Sequence, residues 1–438
     1  MSILTFKGGI HPYEGKELSK DNPIAEYNPK GDVAVAMSQH IGAPAKPIVK
    51  KGDTVLVGQL IGEASGFVSA NVHSPVSGTV KAVEKRLLVN GSKSDCIIIE
   101  NDGNFDEVEY EKPKPYEELS KEEILNLIKK AGIVGMGGAG FPTNVKLSPK
   151  NPEKIDYIIV NGSECEPYLT SDYRRLIEEP EVLIAGLKIM LRLFDNAKGI
   201  IAIEDNKSDA IKKIKELVKD EENIEVSKLY TKYPQGAERM LIYATTKRKI
   251  NSLKLPADAG CIVDNVDTVF GIYHAVAYGK PLVKRVITIT GDAINSPQNF
   301  LVPIGTNQRE LIEAAGGFKS EPQKVISGGP MMGMAMSTLD VPVVKTSSAI
   351  LCYIKDPLVD ITQTNCINCG RCVSVCPGRV IPSRLAKFSA RGDMESFLKY
   401  DGLECCECGC CSYVCPAKIN LTQAIKTMRK QALASRKK

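Results

Sequence analysis

Eight cysteines near the C-terminus constrain this chain more than any other feature. Cys366, Cys369, Cys372 and Cys376 are followed by Pro377, and Cys405, Cys408, Cys411 and Cys415 by Pro416. Each set reads C-x-x-C-x-x-C-x-x-x-C-P, the spacing that holds [4Fe–4S] clusters. Three thiolates two residues apart on a curling loop each meet one corner of a cubane. The fourth, at the start of a following helix, points away, and the proline fixes φ where the chain turns. In two-cluster proteins that fourth ligand serves the other cluster. Cys366, Cys369, Cys372 and Cys415 are therefore assigned to one centre, and Cys405, Cys408, Cys411 and Cys376 to the second.

Two blander readings compete. Zinc sites use two C-x-x-C pairs, whereas each run here has three evenly spaced thiols and a fourth before proline. Disulfides suit small secreted chains, which this is not. Cys406 and Cys410 fall between the ligands; only the 405/408/411/415 register repeats the first run, so these two are expected to be spare thiols. Cys96, Cys165, Cys261 and Cys352 stand alone and read as small buried hydrophobes.

A chain of 438 residues holds two to four domains with a sizeable core. Its net charge of +5 is too mild to argue for nucleic acid. The N-terminus lacks the apolar core of a signal peptide, and no run approaches the roughly 18 apolar residues of a membrane span. Fourteen cysteines without a secretion signal imply a reducing compartment. A cytoplasmic chain is expected, reaching any membrane only through partners.

Residues 1 to about 30, rich in Gly, Pro and charge, are expected to run over the surface. Short apolar stretches broken by glycine from 44 to 84 predict strands and resemble a barrel-sandwich of the biotinyl- and lipoyl-carrier kind. The stretch Glu63–Ala64–Ser65–Gly66–Phe67 carries no lysine for a swinging arm, so a structural or docking module is expected. An acidic linker with Pro113 and Pro115 precedes Ser120, which with Glu123 reads as a helix capping box. From 155 onward, strands at 155–160, 199–203 and 225–229 alternate with helices at 180–194, 208–218, 236–245 and 266–278. That order argues for βαβ units around a largely parallel sheet. Strands at 285–290, 299–304 and 324–327, with a helix capped by Thr306, predict a small β-grasp-like domain. Residues 339–364 are expected to cross to the cysteine domain, where helices at 383–388 and 393–400 separate the two runs. The tail from 426 to 438 is basic.

A second informative stretch is Gly135–Met136–Gly137–Gly138–Ala139–Gly140–Phe141–Pro142. It satisfies G-x-G-x-x-G, but the dinucleotide fingerprint needs a strand before it and a helix opening on it. Here a helix precedes and Pro142 follows, so the ordinary fingerprint is rejected. The glycines still let backbone N–H groups approach a phosphate or flat ring, with Lys146 as a counter-charge; alone, a plain glycine-rich turn explains them equally well. The strand at 155–160 opens into Asn161–Gly162–Ser163–Glu164–Cys165–Glu166–Pro167. Ligands of open α/β sheets sit at the carboxyl ends of strands. Asn161, Glu164 and Glu166 are thus expected to face a crevice suited to an isoalloxazine edge and ribose hydroxyls, against the alternative of a solvated acidic turn.

GMGGAGFPTNVK, NGSECEP, YPQGAE and VDNVDT, in this order, resemble the FMN- and NADH-binding 51-kDa subunit of respiratory complex I. With the GGIHP start, the barrel-sandwich and the doubled cysteine run, nearly the whole chain resembles the C subunits of Rnf-type ion-translocating oxidoreductase complexes. The resemblance implies a multidomain α/β chain. Its parts are a barrel-sandwich (1–112), a Rossmann-like FMN- and NADH-binding domain (118–282), a small β-grasp domain (283–340) and a helical ferredoxin-like domain with two [4Fe–4S] clusters (360–425).

It also implies site roles. Gly135, Gly137, Gly138 and Gly140 lie along FMN and NAD phosphates with Lys146 nearby, and Phe141 stacks on the nucleotide. Asn161 and Glu164 contact FMN, and Glu166 reaches the nicotinamide nucleotide. Tyr233, Gly236 and Glu238 form a second facing loop, while Asn265 and Thr268 make a further FMN contact. The chain departs from the complex I pattern at Ser163, at Cys165 and at Ala237–Glu238. Cys165 thereby gains the prospect of touching the flavin.

The activity implied is an NAD(H)-dependent oxidoreductase. NADH gives a hydride to FMN, and electrons pass singly through the clusters, in either direction. The partners implied are membrane and iron–sulfur subunits of the same complex, and ferredoxin indirectly, with the chain peripheral on the cytoplasmic face and ion pumping left to the partners. Two alternatives stay open: a cobalamin reductase of the microcompartment type, and a flavin-less cluster relay. His11, His40, His73 and His274 are read as structural.

Overall fold

The structure, a computed structural model, describes residues 3–111, 113–356 and 358–435; the last three residues of the basic tail lie outside this range. Near the N-terminus two small antiparallel sheets face each other. One orders Val33–Ala36, Lys93–Asn101, Gly78–Leu87 and Thr54–Val55, and the other Lys46–Pro47, Leu60–Glu63 and Val72–His73. Val33, Val35, Val55, Ile61, Val72, Val80, Ile97 and Ile99 fill the space between them. The opposite face of the first sheet is covered as well, by a smaller cluster of Ala36, Leu88, Cys96 and Ile98, and β-branched residues suit such a pleated surface. The expected barrel-sandwich is present, and Phe67 stands 83% exposed near the lysine-free tip.

The central domain is a four-stranded parallel sheet ordered Ile224–Leu229, Lys198–Glu204, Tyr157–Gly162 and Cys261–Asn265. Chain order reverses between the last two strands, which makes their carboxyl ends a topological switch point. Helices Lys121–Lys130, Pro180–Leu191 and Val266–Tyr278 pack through one large apolar cluster, and Glu238–Thr246 covers another. Ser120 and Glu123 close the anticipated capping box. The strand Cys261–Asn265 and the helix Ser171–Glu178 were not anticipated. The first ends in the polar pair Asp264–Asn265, and the second, only eight residues long, has an apolar face of just Tyr173, Leu176 and Ile177 among charged residues.

A six-stranded sheet forms the third domain, ordered Ala25–Glu26, Gln298–Pro303, Lys284–Thr290, Ala349–Tyr353, Lys324–Ser327 and Met334–Ala335. Three expectations are corrected here. Residues 339–364 are not a simple crossing, because Ala349–Tyr353 inserts in the middle of the sheet; its uninterrupted apolar run is that of a strand buried on both faces. The helix Gln308–Ala314 is capped by the Asn307 side chain, while the Thr306 hydroxyl donates to Pro303 O. The N-terminal residues are also not a surface run. Leu4 pairs with Leu229, Ile10 with Tyr233 and Ala25–Glu26 with the 300–301 pair, so this segment covers edges that would otherwise stay open. The cysteine domain is helical: Pro382–Arg391, Met394–Lys399 and Leu421–Ser435 pack round Leu385, Phe397, Ile425 and Met428.

Lys345 joins three domains. It is 1% exposed, and its Nζ donates to Asn71 O at 2.6 Å and Gly132 O at 2.7 Å. Burial pushes this amine down to about 7, and a neutral amine still has the two N–H groups both carbonyls need. Lys345→Ala should cost roughly 1–3 kcal/mol, since two buried acceptors lose their donor. The unfolded chain, with its lysine near about 10.4, holds the proton between pH ~7 and ~10 while the folded chain does not. Stability should therefore rise with pH across that window, a rise that Lys345→Met lacks in paired melting curves.

Candidate functional site

The parallel register sets Asn161 directly beside Asn265 at the switch point. Asn161 Nδ2 donates to Gly236 O at 2.9 Å, so the loop following the strand Ile224–Leu229 closes over the same point. The glycine loop arrives from the opposite side. Gly135 N–H donates to Phe141 O at 2.9 Å, which closes 135–141 into a turn. A Cβ on Gly137 would stand 2.8 Å from the Asn265 Cβ, so only glycine permits that approach. Gly140 has φ +71°, where glycine alone is unstrained. Beside Gly138, by contrast, a Cβ would meet nothing within 4 Å. Gly137, Gly138 and Ala139 are exposed, a strip of bare backbone at the mouth of the crevice.

One of the expected flavin contacts, Thr268, bonds this loop, and a second, Asn265, backs Gly137. Thr268, fully buried, accepts from Met136 N–H at 2.9 Å. The Asn265 side chain accepts from Asp267 N–H, capping the helix behind it, and donates to Asp172 Oδ2 at 2.7 Å. Lys146 Nζ donates to Val263 O at 2.8 Å and Asp264 Oδ1 at 2.9 Å. Burial works against its charge, but Asp264, with Glu238 further off, outweighs that and leaves the ammonium above its ordinary pKa. Glu238 opens the helix after Gly236 and is exposed.

The acidic loop is more engaged than the sequence implied. Glu164, at φ 46°, accepts Asp172 N–H at 2.7 Å and lies 3.6 Å from Lys16 Nζ. Asp172 is pushed up to about 8 by burial and then by Glu164 and Asp267. Glu166 does not stand free. Its oxygens accept Met331 N–H at 3.1 Å and Met332 N–H at 2.8 Å, while burial raises it to about 7. Lys16, Asp172, Asp264 and the 328–333 loop were missed. Of these, Asp264 lay inside the flagged VDNVDT stretch and Lys16 and Asp172 close to flagged motifs, whereas nothing flagged the 328–333 loop. Phe141 is half-buried.

Tyr233 is 1% exposed and turns toward the cysteine domain, clustering with Ile10, Cys408 and Cys410. Cys165 packs against that cluster, and its Sγ accepts Gly236 N–H at 3.3 Å. Burial lifts this thiol well above its ordinary pKa. The thiol thus sits between the crevice and the second cysteine loop.

Cys366, Cys369, Cys372 and Cys415 line one cavity with Ile367, Pro416 and Ile419. The fourth thiol comes from the other run, as the spacing required. Cys376 and Cys411 share an apolar cluster with Cys405 packed against it, whereas Cys408 lies in the adjoining cluster with Cys410 and Cys406. Among the described residues no three His, Cys, Asp or Glu side chains close round a single metal ion; the first four thiols are spread about a cavity. Burial raises Cys376 and Cys411, and takes Cys405 to about 12. As free thiols they stay protonated; soft thiolates of this kind suit iron–sulfur clusters, whose binding displaces those protons. The residues fit the clusters, and the glycine strip with Lys146 and Asn161 fits a flavin phosphate and ring.

Residues 128–274 match the family model described as the Nuo51 FMN-binding domain, and residues 4–104 the RnfC barrel sandwich hybrid domain. Residues 286–335 match an SLBB domain and 365–419 a 4Fe-4S dicluster domain. Over 437 residues, 99% of this chain and 98% of the relative, identity is 46% with the C subunit of the Na(+)-translocating ferredoxin:NAD(+) oxidoreductase complex of Acetobacterium woodii. The proton-translocating counterpart of Clostridium ljungdahlii is 46% identical over 386 residues, covering 88% of this chain and 84% of its own. A solved NAD+-reducing [NiFe]-hydrogenase chain in the H2-reduced state superposes with a TM-score of 0.51 at 19% identity. That match spans 74% of this chain and 63% of the other, and is a likeness of fold.

Proposed function

Since the chain belongs to the family of C subunits of ion-translocating ferredoxin:NAD(+) oxidoreductase complexes, we propose that it is the subunit at which NAD(H) exchanges electrons with the rest of such a complex. The reading is carried by one observation: the glycine turn, Asn161 and the 233–238 loop meet at the sheet's switch point, directly beside a cysteine loop. A flavin bound there takes the two electrons of a hydride together and releases them singly, and iron–sulfur clusters accept them one at a time.

The chain's own residues bind and orient. The backbone N–H groups of 137–139 are free of side-chain bulk and suit a phosphate. Lys146 offers positive charge near that backbone, while Asp264 and the Val263 carbonyl fix its direction. Asn161 and Gly236 form one wall, Thr268 holds the glycine turn in register from behind, and Asn265 backs Gly137. The 405–411 loop packs on Tyr233 and Cys165, which makes it the inner cysteine loop; the 366–372 loop, with Cys369 exposed, is the outer one. That outer loop is the side proposed to face iron–sulfur or membrane subunits of the complex. Among the described residues no helix is long and apolar enough to cross a membrane, and we propose a peripheral seat on the cytoplasmic face, with ferredoxin reached indirectly.

Gly138→Val provides the test. Because nothing stands within 4 Å of the added Cβ, the variant should fold and keep its iron. A flavin phosphate laid on that backbone would clash, so FMN retained through purification should fall about tenfold or more. Undiminished FMN in this variant would move the flavin site elsewhere.

A further inference from the structure

Both oxygens of Glu166 are spoken for by a loop of another domain. Met331 and Met332 donate their N–H groups to the two oxygens, and a Cβ on Gly329 would lie 2.2 Å from Oε2, so the backbone closes on the carboxylate only because that residue is glycine. Gly328, at φ +95°, and a Gly333 N–H to Gly329 O bond of 2.9 Å pull 328–333 into a tight turn. Two successive amides aimed at one anion form a nest. From the far side of the same turn Met331 reaches the inner cysteine loop. Its Cε and O stand 3.3 and 3.5 Å from the Cβ position of Gly409, which has φ +82° and lies between Cys408 and Cys410. The Met331 side chain packs in the cluster of Cys408, Cys410, Tyr233 and Ile10. A thioether fills such irregular gaps well.

We infer that Glu166 is a positioning residue: it anchors the 328–333 loop as a strap that fixes the inner cysteine loop against the flavin domain. The carboxylate is the flavin-domain end of the strap, and the Met331 side chain is the cysteine-domain end. Other ties sit to either side. Arg239 Nη1 meets Glu404 Oε2 at 2.6 Å just before Cys405, and Gly9 N–H donates to Val375 O at 2.8 Å next to Cys376. The strap alone among these is contributed by the β-grasp domain. Glu166 therefore acts through the loop and not on the nucleotide, which departs from the role implied by the complex I resemblance.

The inference rests on the electron-transfer reading above and is tested in the holoprotein by anaerobic stopped-flow mixing with NADH. Flavin bleaching and cluster reduction are followed separately, with iron content and the electron paramagnetic resonance spectrum of the reduced clusters as controls for folding. Met331→Ala should leave flavin bleaching unchanged and slow cluster reduction several-fold. Glu166→Gln, which keeps one acceptor and loses the other, should slow the same phase without raising the KM for NADH. The double variant should be no slower than the worse single one, because both cut the same strap. A KM that rises in Glu166→Gln while cluster reduction keeps pace would put Glu166 on the nucleotide and overturn the inference. So would unchanged cluster reduction in Met331→Ala. Wild-type protein whose flavin does not bleach would instead fail at the electron-transfer reading, and the strap would fall with it.

Discussion

Cys415→Ala is expected to remove the cluster of the first cysteine run and leave that of the run in which it lies. Cys415 lines a cavity with Cys366, Cys369 and Cys372, although it follows Cys405, Cys408 and Cys411 in the chain. The geometry comes from the short helix Cys410–Tyr413, which turns the chain before Pro416 and carries the fourth thiol away from its own loop. By the same argument Cys376 belongs with Cys405 and Cys411, whose side chains it joins. Iron should fall from about eight to about four per chain. The residual resonance spectrum of Cys415→Ala should match that of Cys369→Ala, and Cys376→Ala should match Cys411→Ala. A Cys415→Ala spectrum matching Cys411→Ala would mean that each run closes on itself.

Lys146→Met should have the second large effect, in two separable parts. Asp264 has a fully buried side chain, and Lys146 is its ion-pair partner. Removing the ammonium strands that carboxylate, at a cost of about 3–5 kcal/mol. Adding Asp264→Asn removes the stranded charge, so the double variant should regain most of the lost melting temperature. Flavin should not return with it, because the positive charge beside the glycine turn is still missing. Flavin restored in the double variant would make Lys146 a structural partner of Asp264 and nothing more.

The two cysteine runs were legible because metal ligation imposes a spacing that few other functions share, and the cavity of four thiols matches the crossing of the fourth ligand. The parallel sheet was legible from alternation, and the glycine turn from composition. What the sequence did not carry were contacts made at a distance. Glu166 looked like a free acid at a strand end, since nothing local tells that residues 328–333 wrap its carboxylate. Asn265 and Thr268 read as ligand contacts; that Thr268 also bonds Met136 N–H of the glycine turn is set by the packing of a helix that begins at Val266. Residues 1 to about 30 read as a surface run, but the edge strand ending at Leu229 pairs with Leu4 and the loop beyond it, at Tyr233, with Ile10. Ala349–Tyr353 escaped because a strand buried on both faces shows no period of two.

The central claim is that a hydride donor meets a flavin in the crevice of Asn161 and Gly138, and that the electrons leave through the neighbouring cysteine loop. It is tested most directly by purifying the protein anaerobically, assaying FMN, iron and sulfide, and adding NADH while the flavin spectrum is followed. The account predicts FMN together with about eight irons, and flavin absorbance that bleaches on mixing, followed by reduction of the clusters. Eight irons with no flavin, and no response to NADH after FMN is added back, would contradict it and leave a relay of clusters.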